Sequence, residues 1–178
     1  MDNIYPDTIQ TILVHPSQRK IVVELLKKAD DVCRYSISSK YIRTALNSFK
    51  RGYYYTDNEN KIIGLCIWKE YKDIQKDGTI LKKVHITLIC ADYNNYNLGR
   101  KIMYDVELYC IDNNFSLITL EAANNDLIVY YEKGGFTLID KDYRIMKKPV
   151  KLIIIHRKNN KTRKIKSSVI NSTNLEEI

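Results

Sequence analysis

The stretch Ile80-Leu-Lys-Lys-Val-His-Ile-Thr-Leu-Ile-Cys-Ala91, continued by Asp92-Tyr-Asn-Asn-Tyr-Asn-Leu-Gly99-Arg100-Lys101, is the most informative in the chain. Its first half is apolar and β-branched, which reads as a long, largely buried strand. Its second half is turn-forming, and it opens a segment from Leu98 to Asp112 with apolar residues at Ile102, Met103, Val106, Tyr109 and Cys110. That spacing is one face of an amphipathic helix. A turn that leads from a strand into a helix presents unpartnered backbone N–H groups and the positive end of the helix dipole. Together these suit a phosphate or pyrophosphate. Gly99 lets a ligand approach the backbone closely, and Asn95 and Asn97 are, after glycine, the residues best able to hold left-handed dihedrals.

Upstream of this segment, Thr8 to Val14 alternates as a strand, ended by His15-Pro16, and Ser17 is expected to cap a helix carrying Ile21, Val22, Leu25 and Leu26 on one stripe. A second helix is expected from Ser39 to Lys50. Tyr53 to Thr56 and Lys61 to Tyr71 read as two strands of a hairpin around Asp57-Asn58-Glu59-Asn60. Downstream, Ser116 to Ala122 is a strand and Asn125 to Lys133 a short helix ended by Gly134-Gly135. Phe136 to Ile139 and Tyr143 to Met146 are strands across a turn, and Val150 to Ile155 is one more. The order describes a mixed α/β domain.

The chain has 178 residues, 44% of them hydrophobic and 28% charged, which suits one globular domain without a metal or disulfide staple. No apolar run approaches the ~18 residues of a membrane helix. The first residues lack the basic-then-apolar pattern of a secretory signal, so the expectation is a soluble, cytoplasmic protein with no membrane contact. Cys33, Cys66, Cys90 and Cys110 form no Cys-x-x-Cys pair and are expected to be free buried thiols, and the scattered His15, His85 and His156 give no metal site. The formal charge of +8 resides entirely between Tyr143 and Ile178, with ten Lys/Arg and two Glu; residues 1–142 are neutral. The expected division is a domain over 1–156 and a basic, solvated tail over 157–178.

A second cluster follows the next strand: Glu121-Ala-Ala-Asn124, then Tyr131-Glu-Lys-Gly-Gly135-Phe136. With it the chain resembles the GCN5-related N-acetyltransferase (GNAT) family over about residues 8–150. Leu88 to Tyr93 with Asn94-x-x-Asn97-x-Gly99 is similar to the family's acyl-CoA signature, usually (Gln/Arg)-x-x-Gly-x-(Gly/Ala). Asn124 with Tyr131-Glu-Lys-Gly-Gly135-Phe136 is similar to its second signature, Asn-x6-Tyr-Glu-Lys-x-Gly-Phe. Asn94 stands where Gln or Arg is usual, and Asn97 where the first Gly is usual.

The resemblance implies the family's acyl-CoA N-acyltransferase fold, a central, mostly antiparallel sheet flanked by helices, and transfer of an acetyl group from acetyl-CoA to a primary amine. It implies that the backbone of Thr87, Leu88 and Ile89 pairs with the pantetheine arm as an added strand. It also implies that Asn94, Asn95, Tyr96, Asn97, Leu98, Gly99 and Arg100 hold the pyrophosphate, and that Asn124 bonds the arm. Tyr131 would protonate the departing sulfur, and His85 would take the proton of the amine, with Glu70 and Glu121 as competitors acting through water. His85 also has a plain structural reading as a half-buried strand residue. Two further readings stay open: a catalytically silent acyl-CoA-binding domain, and a nucleic-acid-associated protein using Lys147 to Lys166. The acceptor, and the choice between monomer and homodimer, are not legible in the residues.

Overall fold

The computed structural model describes residues 9–33, 37–92, 94 and 97–151. The expected strand over Val150 to Ile155 lies largely outside these residues, as do the basic tail and two members of the expected phosphate loop, Asn95 and Tyr96.

The elements in chain order are β1 (Gln10–Val14), α1 (Arg19–Val32), α2 (Ser39–Ser48), β2 (Arg51–Thr56), β3 (Ile62–Ile74), β4 (Ile80–Ala91), α3 (Leu98–Asp112), β5 (Leu117–Glu121), α4 (Asn125–Lys133), β6 (Thr137–Asp140) and β7 (Ile145–Pro149). They build one seven-stranded sheet in the order β1-β2-β3-β4-β5-β7-β6. Every neighbouring pair is antiparallel except β4 with β5. Parallel neighbours need a long crossover, and α3 is that crossover.

Side chains alternate across the sheet, so each face has its own core. On one face Cys66, Trp68, Val84, Ile86, Ile118, Leu120 and Met146 pack against Leu98, Ile102, Val106 and Cys110 of α3 and Tyr131 of α4. On the other, Leu65, Ile67, Leu88 and Cys90 pack against Leu25 and Ala29 of α1 and Ile42, Ala45 and Leu46 of α2. Each fully buried Leu or Ile contributes about 1.5–3 kcal/mol relative to exposure. Tyr53 and Tyr55 join the first core while Tyr54 joins the second, as alternation of three consecutive strand tyrosines requires.

Several local expectations are corrected. The residue before α1 is Gln18 with no side-chain cap, because the Ser17 hydroxyl is engaged 2.8 Å from His15 Nδ1 instead. α2 ends at Ser48, and β3 runs on to Ile74 because the long arm of β4 pairs with it as far as Ile80. The strand expected over Tyr143 to Met146 is instead β7, Ile145–Pro149, since Arg144 takes a left-handed φ of 50°. Cys66 and Cys110 are free and buried, but Cys33 and Cys90 form a disulfide. Their positions 57 residues apart offer no spacing signal, and only the packing of the end of α1 over β4 brings the two sulfurs together.

Candidate functional site

β4 carries one residue more than its partner. The register pairs Ile86 with Trp68 and Leu88 with Ile67, which leaves Thr87 as a bulge. The bulge reverses the alternation. Val84 and Ile86 face the α3/α4 core, but beyond Thr87 it is Ile89 and Ala91 that pack there, while Leu88 and Cys90 face α1 and α2. Thr87 Oγ1 donates to the Ile67 carbonyl at 3.1 Å, and the Thr87 carbonyl accepts from Tyr41 Oη of α2 at 2.9 Å.

The two parallel strands part at the same level. The last β4–β5 pair is Ile86 with Leu120, so Thr87, Leu88 and Ile89 present a backbone edge that β5 does not cover. Between the strands opens a cleft of about 260 Å³, lined among others by Tyr41, Thr87, Leu88, Ile89, Glu121 and Tyr131. An uncovered strand edge in a cleft is a ready partner for an extended ligand with amide groups.

At the outer end of this edge stands the N-terminus of α3. Ser38 caps α2 and Asn124 caps α4 with side-chain oxygens, but the residue before α3, Asn97, makes no side-chain capping bond. Asn97 has φ 70° and ψ 0°, a left-handed conformation, and the first turn of α3 contains no acid. The helix end therefore keeps donors and positive dipole for an anion. Asp92 Oδ1 accepts from both the backbone N–H and the side-chain amide of Asn94, each at 3.0 Å, so the Asn94 side chain shapes the turn rather than pointing a free amide outward.

Gly99 meets a close neighbour: a Cβ there would lie 2.8 Å from the Tyr130 hydroxyl. Gly99→Ala is expected to displace Tyr130 across the helix end and raise the KM for an anionic ligand several-fold. Gly99→Ala with Tyr130→Phe, which removes the obstructing oxygen, is expected to recover part of that loss. Steady-state kinetics on the two variants checks both, and equal KM values would show that Tyr130 is not the obstacle.

Tyr131 sits at the inner end of the cleft, only 4% exposed, with ring contacts to Tyr130 at 5.3 Å and Phe136 at 5.7 Å. Burial, with smaller contributions from Cys66 and Tyr130, pushes its phenol well above the ordinary value. A phenol so shifted keeps its proton at neutral pH. Asn124 Oδ1 accepts from Leu127 N–H at 2.9 Å, so that oxygen serves the helix and only the amide NH2 is left to a ligand.

Glu121 closes β5 and is the carboxylate in the cleft lining. His85 lies one register step below the parting of the strands, with Nδ1 3.0 Å from Thr119 Oγ1. Burial first, then the charges of Lys69 and Lys83, lower its pKa, against an opposing effect of Glu121. It is a neutral imidazole at pH 7. Glu70 does not belong to this site: it is on the α3 face, where its Oε1 accepts from Tyr109 Oη at 2.7 Å and faces Arg51 Nε at 3.7 Å. Strand parity places it there, opposite in direction to Lys69 and Tyr71.

Sequence reasoning missed Tyr41 and the role of Tyr130 against Gly99. Both are single aromatic residues on helix faces, and their partners lie far off in sequence, so no local pattern marks them. Among the described residues, no cluster of His, Cys, Asp and Glu is arranged to hold a metal ion, and no helix is long and apolar enough to cross a membrane.

No family model and no curated protein matches the chain, but solved structures do. GCN5 from Tetrahymena aligns over 82% of this chain and 98% of its own, with a TM-score of 0.60 and 15% identity. The GNAT family N-acetyltransferase YhbS from Escherichia coli, solved in complex with CoA, aligns over 84% and 86%, with a TM-score of 0.59 and 14% identity. The ribosomal-protein-S18-alanine N-acetyltransferase from Escherichia coli aligns over 83% and 98%, with a TM-score of 0.54 and 16% identity. At such identities the likeness is one of fold. The chain has the GCN5-related N-acetyltransferase fold, a mixed, mostly antiparallel sheet whose two central parallel strands part around a bulge.

Proposed function

We propose that this protein is an acyltransferase that uses acetyl-CoA to acetylate an amine. The observation that carries the reading is the alignment of two features along one line: the backbone edge of Thr87 to Ile89, left uncovered where β4 and β5 part, and the uncapped, acid-free N-terminus of α3 at its outer end. These residues fit the group. The strand edge offers alternating donors and acceptors to the amides of a pantetheine arm, and the N–H groups of Leu98, Gly99 and Arg100 suit a pyrophosphate. Tyr41 Oη would release the Thr87 carbonyl as the arm enters.

Acetyl-CoA would supply an acetyl group on a thioester sulfur, open to attack by a neutral amine. Tyr131 is the proton donor toward that sulfur, since its buried phenol keeps its proton at neutral pH. Glu121 is the acceptor of the amine proton because it lines the cleft, and His85 stands on the same face, paired with Thr119 two residues back along β5. Leu120, Leu127 and Ile86 line the inner cleft and limit water there.

The test is thermal. Acetyl-CoA at about 100 times its dissociation constant adds roughly 2.7 kcal/mol, which for a chain of this length raises the melting temperature by roughly 5–10 °C. No rise at millimolar acetyl-CoA would overturn the reading. CoA thiol released in the presence of an amine then measures turnover.

A further inference from the structure

On the face of the sheet that carries α1 and α2, those helices pack over Leu65, Ile67, Leu88 and Cys90, and beside that patch, among the described residues, runs a cross-strand row that is half-buried to exposed. Its members are Lys69 of β3, His85 of β4, Thr119 of β5 and Lys147 of β7, each paired in register with the next. Their neighbours Trp68, Ile86, Ile118 and Met146 are buried in the opposite core, which fixes the direction of the row. The row lies one step below the parting of β4 and β5, and Glu121 is on the same face two residues along β5 from Thr119, roughly 7 Å away.

The charges on this face are unequal in their engagement. Lys83 is held by Asp73 at 2.7 Å and stands 5.4 Å from the centre of the Tyr71 ring. Lys69 and Lys147 have no ion-pair partner among the described residues, and they flank His85 and Thr119 from the two sides. Their backbones are separated by three strand spacings, roughly 14 Å, which two long side chains can span toward one group between them. Lys69 is the direct cross-strand partner of His85, so its side chain leaves the sheet on this face beside the imidazole. A single carboxylate at the cleft with two unneutralised cations beyond it is complementary to a molecule positive at one end and negative at the other.

We infer that the acceptor is an amine whose skeleton also carries an anionic group, a carboxylate or a phosphate, with the amine at Glu121 and the anion between Lys69 and Lys147. This rests on the acetyl-transfer reading and names the substrate class of that same site. The hydroxyl of Thr119 and the imidazole of His85 would complete the floor beneath the anion.

The experiment compares acceptors matched in size with acetyl-CoA held saturating: γ-aminobutyrate and phosphoethanolamine as the anionic amines, butylamine and ethanolamine as neutral-tailed ones, and spermidine as a cationic one. The anionic members are expected to give kcat/KM values higher than the others by roughly five- to tenfold, the scale of one or two exposed ion pairs. Preference for the carboxylate or the phosphate member says which anion is meant. In Lys69→Ala/Lys147→Ala the KM of the anionic acceptors should rise by the same factor, and the acetyl-CoA thermal shift should persist. Equal use of neutral and anionic amines, or a double variant without effect on the anionic ones, overturns the inference while leaving acetyl transfer intact. An absent acetyl-CoA thermal shift with no thiol release from any amine overturns the acetyl-transfer reading, and the inference with it.

Discussion

Reduction of the Cys33–Cys90 disulfide is expected to lower the melting temperature by roughly 8–16 °C. The bond joins residues 57 apart, and in the chain-entropy description a loop of that length is worth about 4 kcal/mol through the unfolded state. Each kcal/mol is worth about 2–4 °C in a chain of this size. Both cysteines are buried in the α1/α2 core, Cys33 at the end of α1 and Cys90 two residues before Asp92. The other two do not confuse the measurement: burial pushes the Cys66 thiol far up and that of Cys110 to about 12, so neither is a ready nucleophile in the native protein.

Thermal melts with and without a dithiol reductant, alongside the Cys33→Ser/Cys90→Ser variant, give the result. Two additional thiols titrated after reduction with an unchanged melting temperature would refute it. Because Cys90 adjoins the strand edge and the Asp92 turn, loss of the bond is also expected to weaken acetyl-CoA binding more than turnover.

Tyr131→Phe is expected to lower kcat by about 10²-fold, the contribution of a positioned proton donor, with little change in melting temperature or in the dissociation constant of acetyl-CoA. The ring packs against Tyr130 and Phe136, and phenylalanine keeps that packing; only the hydroxyl is lost. Thiol release under saturating acetyl-CoA measures kcat, and a ligand-induced thermal shift measures binding separately. Turnover within a factor of two of wild type would remove Tyr131 from the chemistry and leave it as a wall of the cleft.

Much of the fold was legible in the residues because it rests on local periodicity. The stripe through Ile102, Val106 and Cys110 and the termini at Leu98 and Asp112 placed α3, and Asn124 with the Gly134-Gly135 pair placed α4. The left-handed backbone at Asn97 follows from residue chemistry, since asparagine tolerates that region and the helix starts directly after it. Glu70, by contrast, is unreadable as a site residue or a structural one until the register of β3 against β4 is known, because one step along a strand exchanges the two faces.

Periodicity and residue chemistry made most of the elements and their order legible, with the αL turn before α3, and they mark Gly99, Asn124 and Tyr131 as candidates, all properties of a residue and its near neighbours. That Thr87 is a bulge, that β4 and β5 part above Ile86, that Tyr41 bonds the Thr87 carbonyl, that Cys33 meets Cys90, and that Lys69 and Lys147 flank His85 emerged from the assembled sheet alone. Each of these is a relation between segments tens of residues apart, set by which strands pair and in what register, and no local pattern of side chains encodes it.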